Sequence, residues 1–286
     1  MRLALALVAA LWLAQPATTA AQGRTIELDL AHGAVLRDDA PEAIAHVPEG
    51  VDARAPVALV LLLHGYTGCT RVLVSSASDA RCRPRDRPEA GFGWGAAHDA
   101  AGTRSVLLVP QLAFHVRDGS PERFRIAGEA ARMVDEALAA LAPTLGATLT
   151  HETVASITLA GHSAAFETML AILRHGGLGD RVRHVVLFDA LYAGGSTFLD
   201  WASGGTEASP RTLVSLATRG TTLSRTQALY QDAHRRWPDA TFDSWPVALP
   251  AGPRAIVLAP VSGVPHHDVP ARLLAETLRG LGLPRR

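Results

Sequence analysis

Seven consecutive residues, Val57 to Leu63 (VALVLLL), are apolar, and the run ends at His64-Gly65. Such a run has no polar face to turn toward water. As a strand it must be covered on both sides, as in the middle of a parallel sheet. Ser105 to Val109, Ile157 to Ala160 and His184 to Phe188 share this character, and Thr212 to Ala217 and Ala255 to Ala259 show it more weakly.

Helix-period segments separate these runs. Ile126, Ala130, Met133, Val134, Ala137, Leu138 and Leu141 form one apolar stripe, which Pro143 is expected to end. A second helix is expected to begin right after Ser163 and run to about His175, closed by Gly176-Gly177, and a third over Ala271 to Leu278. Parallel neighbours need crossover helices, so the pattern predicts an α/β chain with a doubly wound, mostly parallel sheet flanked by helices. Thr25 to Leu30 alternates as an edge strand would, and Ala43 to Val47 reads as its pairing partner. The length suits one domain over residues 22–286. Cys69 to Thr103, Tyr192 to Pro210 and Arg219 to Pro253 read as irregular and are candidates for lid or pocket walls.

Charge narrows the chemistry. The 27 basic residues balance 27 acidic ones, so no basic field invites nucleic acid, and a small-molecule substrate is expected. Every basic residue is Arg. Without Lys there is no phosphate-binding P-loop lysine, no Schiff base and no Ser-Lys dyad. The Gly91-Phe92-Gly93-Trp94-Gly95 string has the wrong spacing for a dinucleotide fingerprint and is read as having no helix directly after it. No cofactor is implied.

Residues 1–21 read as an export signal: Arg2, an apolar run from Leu3 to Ala14, then small residues with cleavage after Ala20 or Ala21. The run is too short for the ~20 residues that span a bilayer, so no stable membrane anchor is expected in the mature chain. A periplasmic or secreted protein follows. Two cysteines, Cys69 and Cys82, are then expected to pair in a disulfide.

The strongest chemical signal is Ile157-Thr158-Leu159-Ala160-Gly161-His162-Ser163-Ala164-Ala165, a strand, a Gly-x-Ser-x-small core and a helix start. A serine on so sharp a turn needs small residues two positions before and after it, here Gly161 and Ala165. Its hydroxyl would stand clear of the sheet, and the N–H of Ala164 would face a developing oxyanion. The loop after Leu63 offers a second donor, the N–H of Tyr66, with Thr67 as fallback. His64 is read as orienting this loop.

A serine hydroxyl needs a base. Among the histidines that follow Ser163, His175 and His184 come too early and His234 lies in a polar segment. His266 and His267 remain, in a loop between the last strand and the last helix, with His266 favoured. A His-His-Asp metal site finds no third-ligand motif, and His151-Glu152 is followed by Ala155 where a zinc helix needs His. The acid comes by elimination. The run Thr212 to Ala217 is followed by no carboxylate before Asp232, whereas the preceding strand ends in Phe188-Asp189. Asp189 is the first choice, with Asp232, Asp243 and Asp268 behind it.

Taken together, the HG loop, the nucleophile turn and the late histidine resemble the α/β-hydrolase superfamily from about Val57 to the C-terminus. The resemblance implies a triad of Ser163, Asp189 and His266, an oxyanion hole from Tyr66 and Ala164, and an esterase or lipase-like serine hydrolase. A serine amidase or peptidase uses the same groups, and a non-catalytic binding protein on this fold is the third reading. Ala165 stands where Gly is commoner, and the acid sits one strand earlier than usual. Phe198, Leu199, Trp201, Tyr230, Trp237, Phe242 and Trp245 are read as packing the long loops down rather than lining an acyl pocket.

Overall fold

The central apolar run forms β3 (Ala58–Leu63), buried at every position because its side chains alternate between two cores. Leu59, Leu61 and Leu63 pack into one, and Ala58, Val60 and Leu62 into the other. This computed structural model describes residues 23–33, 42–112, 117, 119–238, 240–242, 245–246 and 252–286. Residues 1–21, read as the export signal, lie outside the described residues. Among the described residues no helix is long and apolar enough to cross a membrane.

The remaining strands are β1 (Arg24–Leu28), β2 (Ala43–Val47), β4 (Ser105–Pro110), β5 (Ile157–His162), β6 (Val182–Phe188), β7 (Arg211–Ala217), β8 (Thr241–Phe242) and β9 (Arg254–Pro260). Their order in the sheet is β1-β2-β4-β3-β5-β6-β7-β9-β8. The pairings β1–β2 and β2–β4 are antiparallel, and all others are parallel. The sequence reading of an edge pair followed by a parallel sheet describes this arrangement.

The helices are α1 (Thr70–Val74), α2 (Trp94–Ala101), α3 (Glu129–Ala140), α4 (Ala142–Leu145), α5 (Phe166–His175), α6 (Gly195–Ser203), α7 (Gly220–Arg236) and α8 (Val269–Gly280). Leu73 and Val74 of α1, Trp94 and Ala101 of α2, and Leu273, Leu274 and Leu278 of α8 cover one face of the sheet. Met133 and Val134 of α3, Met169 and Ile172 of α5, Phe198 and Leu199 of α6, and Leu229 and Ala233 of α7 cover the other.

Several local expectations are corrected. Each segment read as irregular contains helix: α1 and α2 in the first, α6 in the second and α7 in the third. The sequence of α7, GTTLSRTQALYQDAHRR, hides its period because the buried positions Thr222, Thr226, Leu229 and Ala233 include two threonines. A helix also starts at Trp94, inside the glycine string, capped by Gly93 in the left-handed conformation at φ 72°. Ile126 is half exposed in the turn before α3 rather than part of its stripe. Pro143 does not simply end α3 but opens the short α4, because proline suits the first turn of a helix.

Aromatic residues do pack the long segments down. Phe198 is fully buried, and Trp201, Tyr230 and Trp237 lie against the same core. Trp245 packs on the opposite core, and its indole N–H donates to Glu276 at 3.2 Å. The side chain of Phe242 lies outside the described residues.

Candidate active site

In-register pairing gathers the C-terminal ends of five parallel strands. Leu63 pairs with Gly161, His162 with Phe188, Phe188 with Leu216, and Ala217 with Pro260. The residues just beyond those ends therefore meet: the His64–Gly65 loop, Ser163, Asp189, Thr218 and the loop leading to His266.

Ser163 occupies the left-handed region at φ 56° and opens, directly after β5, a three-residue 3-10 turn that runs into α5. That conformation is costly for a residue with a β-carbon and persists only where the surroundings enforce it. Gly161 explains how the bend fits. A β-carbon there would collide with Met169 Sδ and lie 3.1 Å from the Ala165 β-carbon. Ala164 follows Ser163 in the first turn, where backbone N–H groups have no partner within the helix.

The structure brings Ser163, His266 and Asp189 together. Ser163 Oγ lies 2.9 Å from His266 Nε2, and His266 Nδ1 lies 2.6 Å from Asp189 Oδ2. Asp189 also adopts positive φ, 49°, and its side chain is almost fully buried. Its Oδ1 accepts the Thr218 N–H at 3.0 Å and the Thr222 hydroxyl, and its Oδ2 accepts the Thr218 hydroxyl at 2.6 Å. Burial alone would raise this carboxyl's pKa. Hydrogen bonds from His266, Thr218 and Thr222 outweigh it and hold the group at about 2, so the carboxylate is charged at neutral pH.

His267, the other histidine of the pair, points elsewhere. Its Nε2 is 3.4 Å from Asp268 and its ring meets the edge of Phe92, with ring centroids 6.3 Å apart. The fallback acids are engaged elsewhere or not described. Asp232 pairs with Arg235, Asp268 lies between His267 and Arg272, and Asp243 is outside the described residues.

The Tyr66 loop lies against the serine turn. A β-carbon on Gly65 would stand 2.7 Å from Ser163 Cβ, and one on Gly119 would touch both Ala164 and the Tyr66 ring at 3.3–3.5 Å. The Tyr66 side chain is itself about half exposed, and Thr67 has φ 57°. His64 holds this loop. Its Nε2 accepts the Leu112 N–H at 2.9 Å, so Nδ1 carries the proton and donates to the Gly65 carbonyl at 2.7 Å. Burial pushes the His64 pKa down to about 4, which keeps the ring neutral for this role. Gln111, unremarked in the sequence, is buried beneath the loop. It donates to the Gly68 carbonyl at 3.0 Å and accepts the Thr70 N–H at 3.1 Å.

Cys69 and Cys82 form a disulfide with a Cα–Cα distance of 5.9 Å. The bridge lies two residues beyond Thr67, in a small cluster with Val72 and Ala80 against which Phe92 packs.

Beside Gln111, four site residues escaped the sequence reading. Thr218 and Thr222 carried no signal as partners of a carboxylate. Tyr192 stacks on Phe166, with ring centroids 5.9 Å apart. Burial raises its phenol pKa, the Asp189 charge adds to the rise, and hydrogen bonding with Ser163 opposes it. His162 lies beside His266. The clue to Tyr192 was its place three residues after Asp189. His162 was visible only as the unspecified residue of the Gly-x-Ser motif.

A mostly parallel sheet wound on both faces, with a strained serine at one strand end and an Asp-supported histidine in a late loop, is the architecture of the α/β-hydrolases, and the chain has that fold. No family model matches it, and no curated protein matches it. Among solved structures it is similar to the feruloyl esterase module from Clostridium thermocellum complexed with sinapinate. That likeness has a TM-score of 0.55 and 9% identity over 93% of this chain and 90% of the other. It is also similar to a ferulic acid esterase, with a TM-score of 0.54 and 12% identity over 91% of this chain and 98% of the other.

Proposed function

We propose that the chain is a serine hydrolase that cleaves a carboxylic ester through an acyl-enzyme on Ser163. The observation that carries this reading is the unbroken contact from Ser163 Oγ through the His266 ring to Asp189, made at a serine with positive φ. His266 Nε2 takes the hydroxyl proton as Ser163 attacks the acyl carbon. Asp189 holds the ring with Nδ1–H toward itself and stabilises the imidazolium. The N–H groups of Tyr66 and Ala164 receive the oxyanion. His266 then returns its proton to the departing alcohol, and water enters by the same base to free the acid.

The substrate is a small uncharged ester, and the mature protein acts outside the cytoplasm. The Cys69–Cys82 bridge supports that location, because such bonds persist in oxidising compartments. The two esterases of similar fold make a feruloyl ester a rational member of the first substrate panel.

The test is fluorophosphonate labelling of the purified protein with mass spectrometry, followed by turnover of p-nitrophenyl esters and matched anilides. Label on Ser163, ester turnover and a dead Ser163→Ala variant are expected. Label on another residue, or an active Ser163→Ala variant, removes the assignment. Faster turnover of the anilides would make the enzyme an amidase using the same groups.

A further inference from the structure

We propose that His162, the residue immediately before Ser163, is a positioning residue that locks His266 in its working orientation. The inference rests on the hydrolase reading above and adds to it a second imidazole that never touches substrate.

Two contacts carry the case. His162 Nε2 lies 2.9 Å from the backbone carbonyl oxygen of His266, so the ring N–H donates across a sequence gap of 104 residues. The two rings also lie against each other, with centroids 4.7 Å apart and planes tilted by 37°. One side chain thus grips both the backbone and the ring of the residue that touches Ser163.

His266 needs such a grip. It opens a three-residue 3-10 turn, its side chain is 40% exposed, and Ser262, Gly263 and Pro265 before it are exposed. Bonds to Ser163 and Asp189 fix the ring along the line through its two nitrogens, but neither prevents rotation about that line. A planar neighbour on one ring face does, and the carbonyl bond keeps the loop from carrying the ring away.

His162 suits the task by its placement. It ends β5 in extended geometry, on the rigid core of the sheet, and is 9% exposed. Burial, reinforced by the His266 charge, pushes its pKa down to about 4. It therefore stays a neutral N–H donor while His266 gains and loses its proton. Phenylalanine here would keep the ring and lose the donor, whereas glutamine would keep a donor of similar reach and lose the ring.

The experiment compares wild type, His162→Phe and His162→Gln, each checked for folding by circular dichroism. The readouts are kcat and KM for p-nitrophenyl acetate and the rate of fluorophosphonate labelling. His162→Phe is expected to lower kcat and the labelling rate by about 10- to 100-fold, the scale of a misplaced catalytic group, with little change in KM. His162→Gln is expected to recover part of the loss. A folded His162→Phe enzyme with wild-type kcat, or a Gln variant no better than Phe, overturns the proposal. Should His162→Phe not fold, His162→Gln and His162→Asn decide it: only the longer amide reaches the carbonyl, so an Asn variant as fast as Gln overturns the role. Failure of the wild type to label at Ser163 would sink the hydrolase reading itself, whereas a labelled wild type with unaffected variants sinks only this inference.

Discussion

Gly65 and Ser163 touch across the sheet: a β-carbon on Gly65 would stand 2.7 Å from Ser163 Cβ and 3.3 Å from Ser163 Oγ. The loop that offers the Tyr66 N–H therefore reaches the serine only because residue 65 has no side chain. Gly65→Ala must push the two apart. An expected loss of about 100-fold in kcat/KM, with a thermal midpoint shifted by only a few degrees, follows from misaligning one oxyanion donor. Steady-state kinetics beside a melting curve checks this, and a fully active variant contradicts the proposed hole.

Asp189 serves His266 through geometry that asparagine cannot copy, since an amide presents only one acceptor oxygen to His266, Thr218 and Thr222. Asp189→Asn is expected to cut kcat by about 10^3- to 10^4-fold, as when an imidazole is left in the wrong tautomer. Thr222→Val removes one supporting bond and leaves the ion, so its loss is expected at about 10-fold or less. The order of the two variants is the test, and a Thr222→Val loss as large as that of Asp189→Asn would contradict it.

The Cys69–Cys82 bridge closes a short loop, with a separation of 13 residues. Its removal by Cys69→Ser with Cys82→Ser should cost about 3 kcal/mol, the loop-entropy estimate for this size. Comparison of urea unfolding midpoints with and without the bridge measures this. Activity is expected to fall as well, because Cys69 follows the Tyr66–Thr67 loop and the cluster holds Phe92 against His267.

Buried neutral histidines make the fold sensitive to acid. Burial lowers the pKa of His64, His162 and His184 to about 4 and that of His98 to about 3. In the unfolded chain these rings protonate near ~6.5, so between roughly pH 6.5 and 4 the unfolded state binds more protons than the folded one. Stability should fall as pH drops through that window, each histidine contributing up to about 1.4 kcal/mol per pH unit. Denaturant midpoints from pH 8 to 4.5 test the sign, and a flat profile would contradict it.

Legibility in the sequence followed the range of the interaction. The central strands could be read because continuous apolar runs report burial on both faces. The turn at Ser163 could be read because its small neighbours at 161 and 165 are local requirements of the bend. Helix α7 was missed because threonines fill two of its buried positions and blur the period. Asp189 emerged only by exclusion, and its partners Thr218 and Thr222 not at all. Thr218 and Thr222, just beyond β7, and His266, beyond β9, converge on one carboxylate through strand register, which no local pattern encodes.

From the sequence alone come the fold class, the serine on its sharp turn, a glycine that lets the loop after Leu63 turn tightly, and a choice between two late histidines. These are dictated by solvent exclusion and by backbone sterics, which act over a few residues. Tertiary structure decided that His266 rather than His267 meets Ser163, that Thr218 and Thr222 hydrogen-bond the Asp189 carboxylate, and that His162 contacts both the backbone and the ring of His266. Contacts between residues up to about a hundred positions apart depend on how strands align side by side, and hydrogen-bond geometry responds to tenths of an ångström that composition and spacing do not carry.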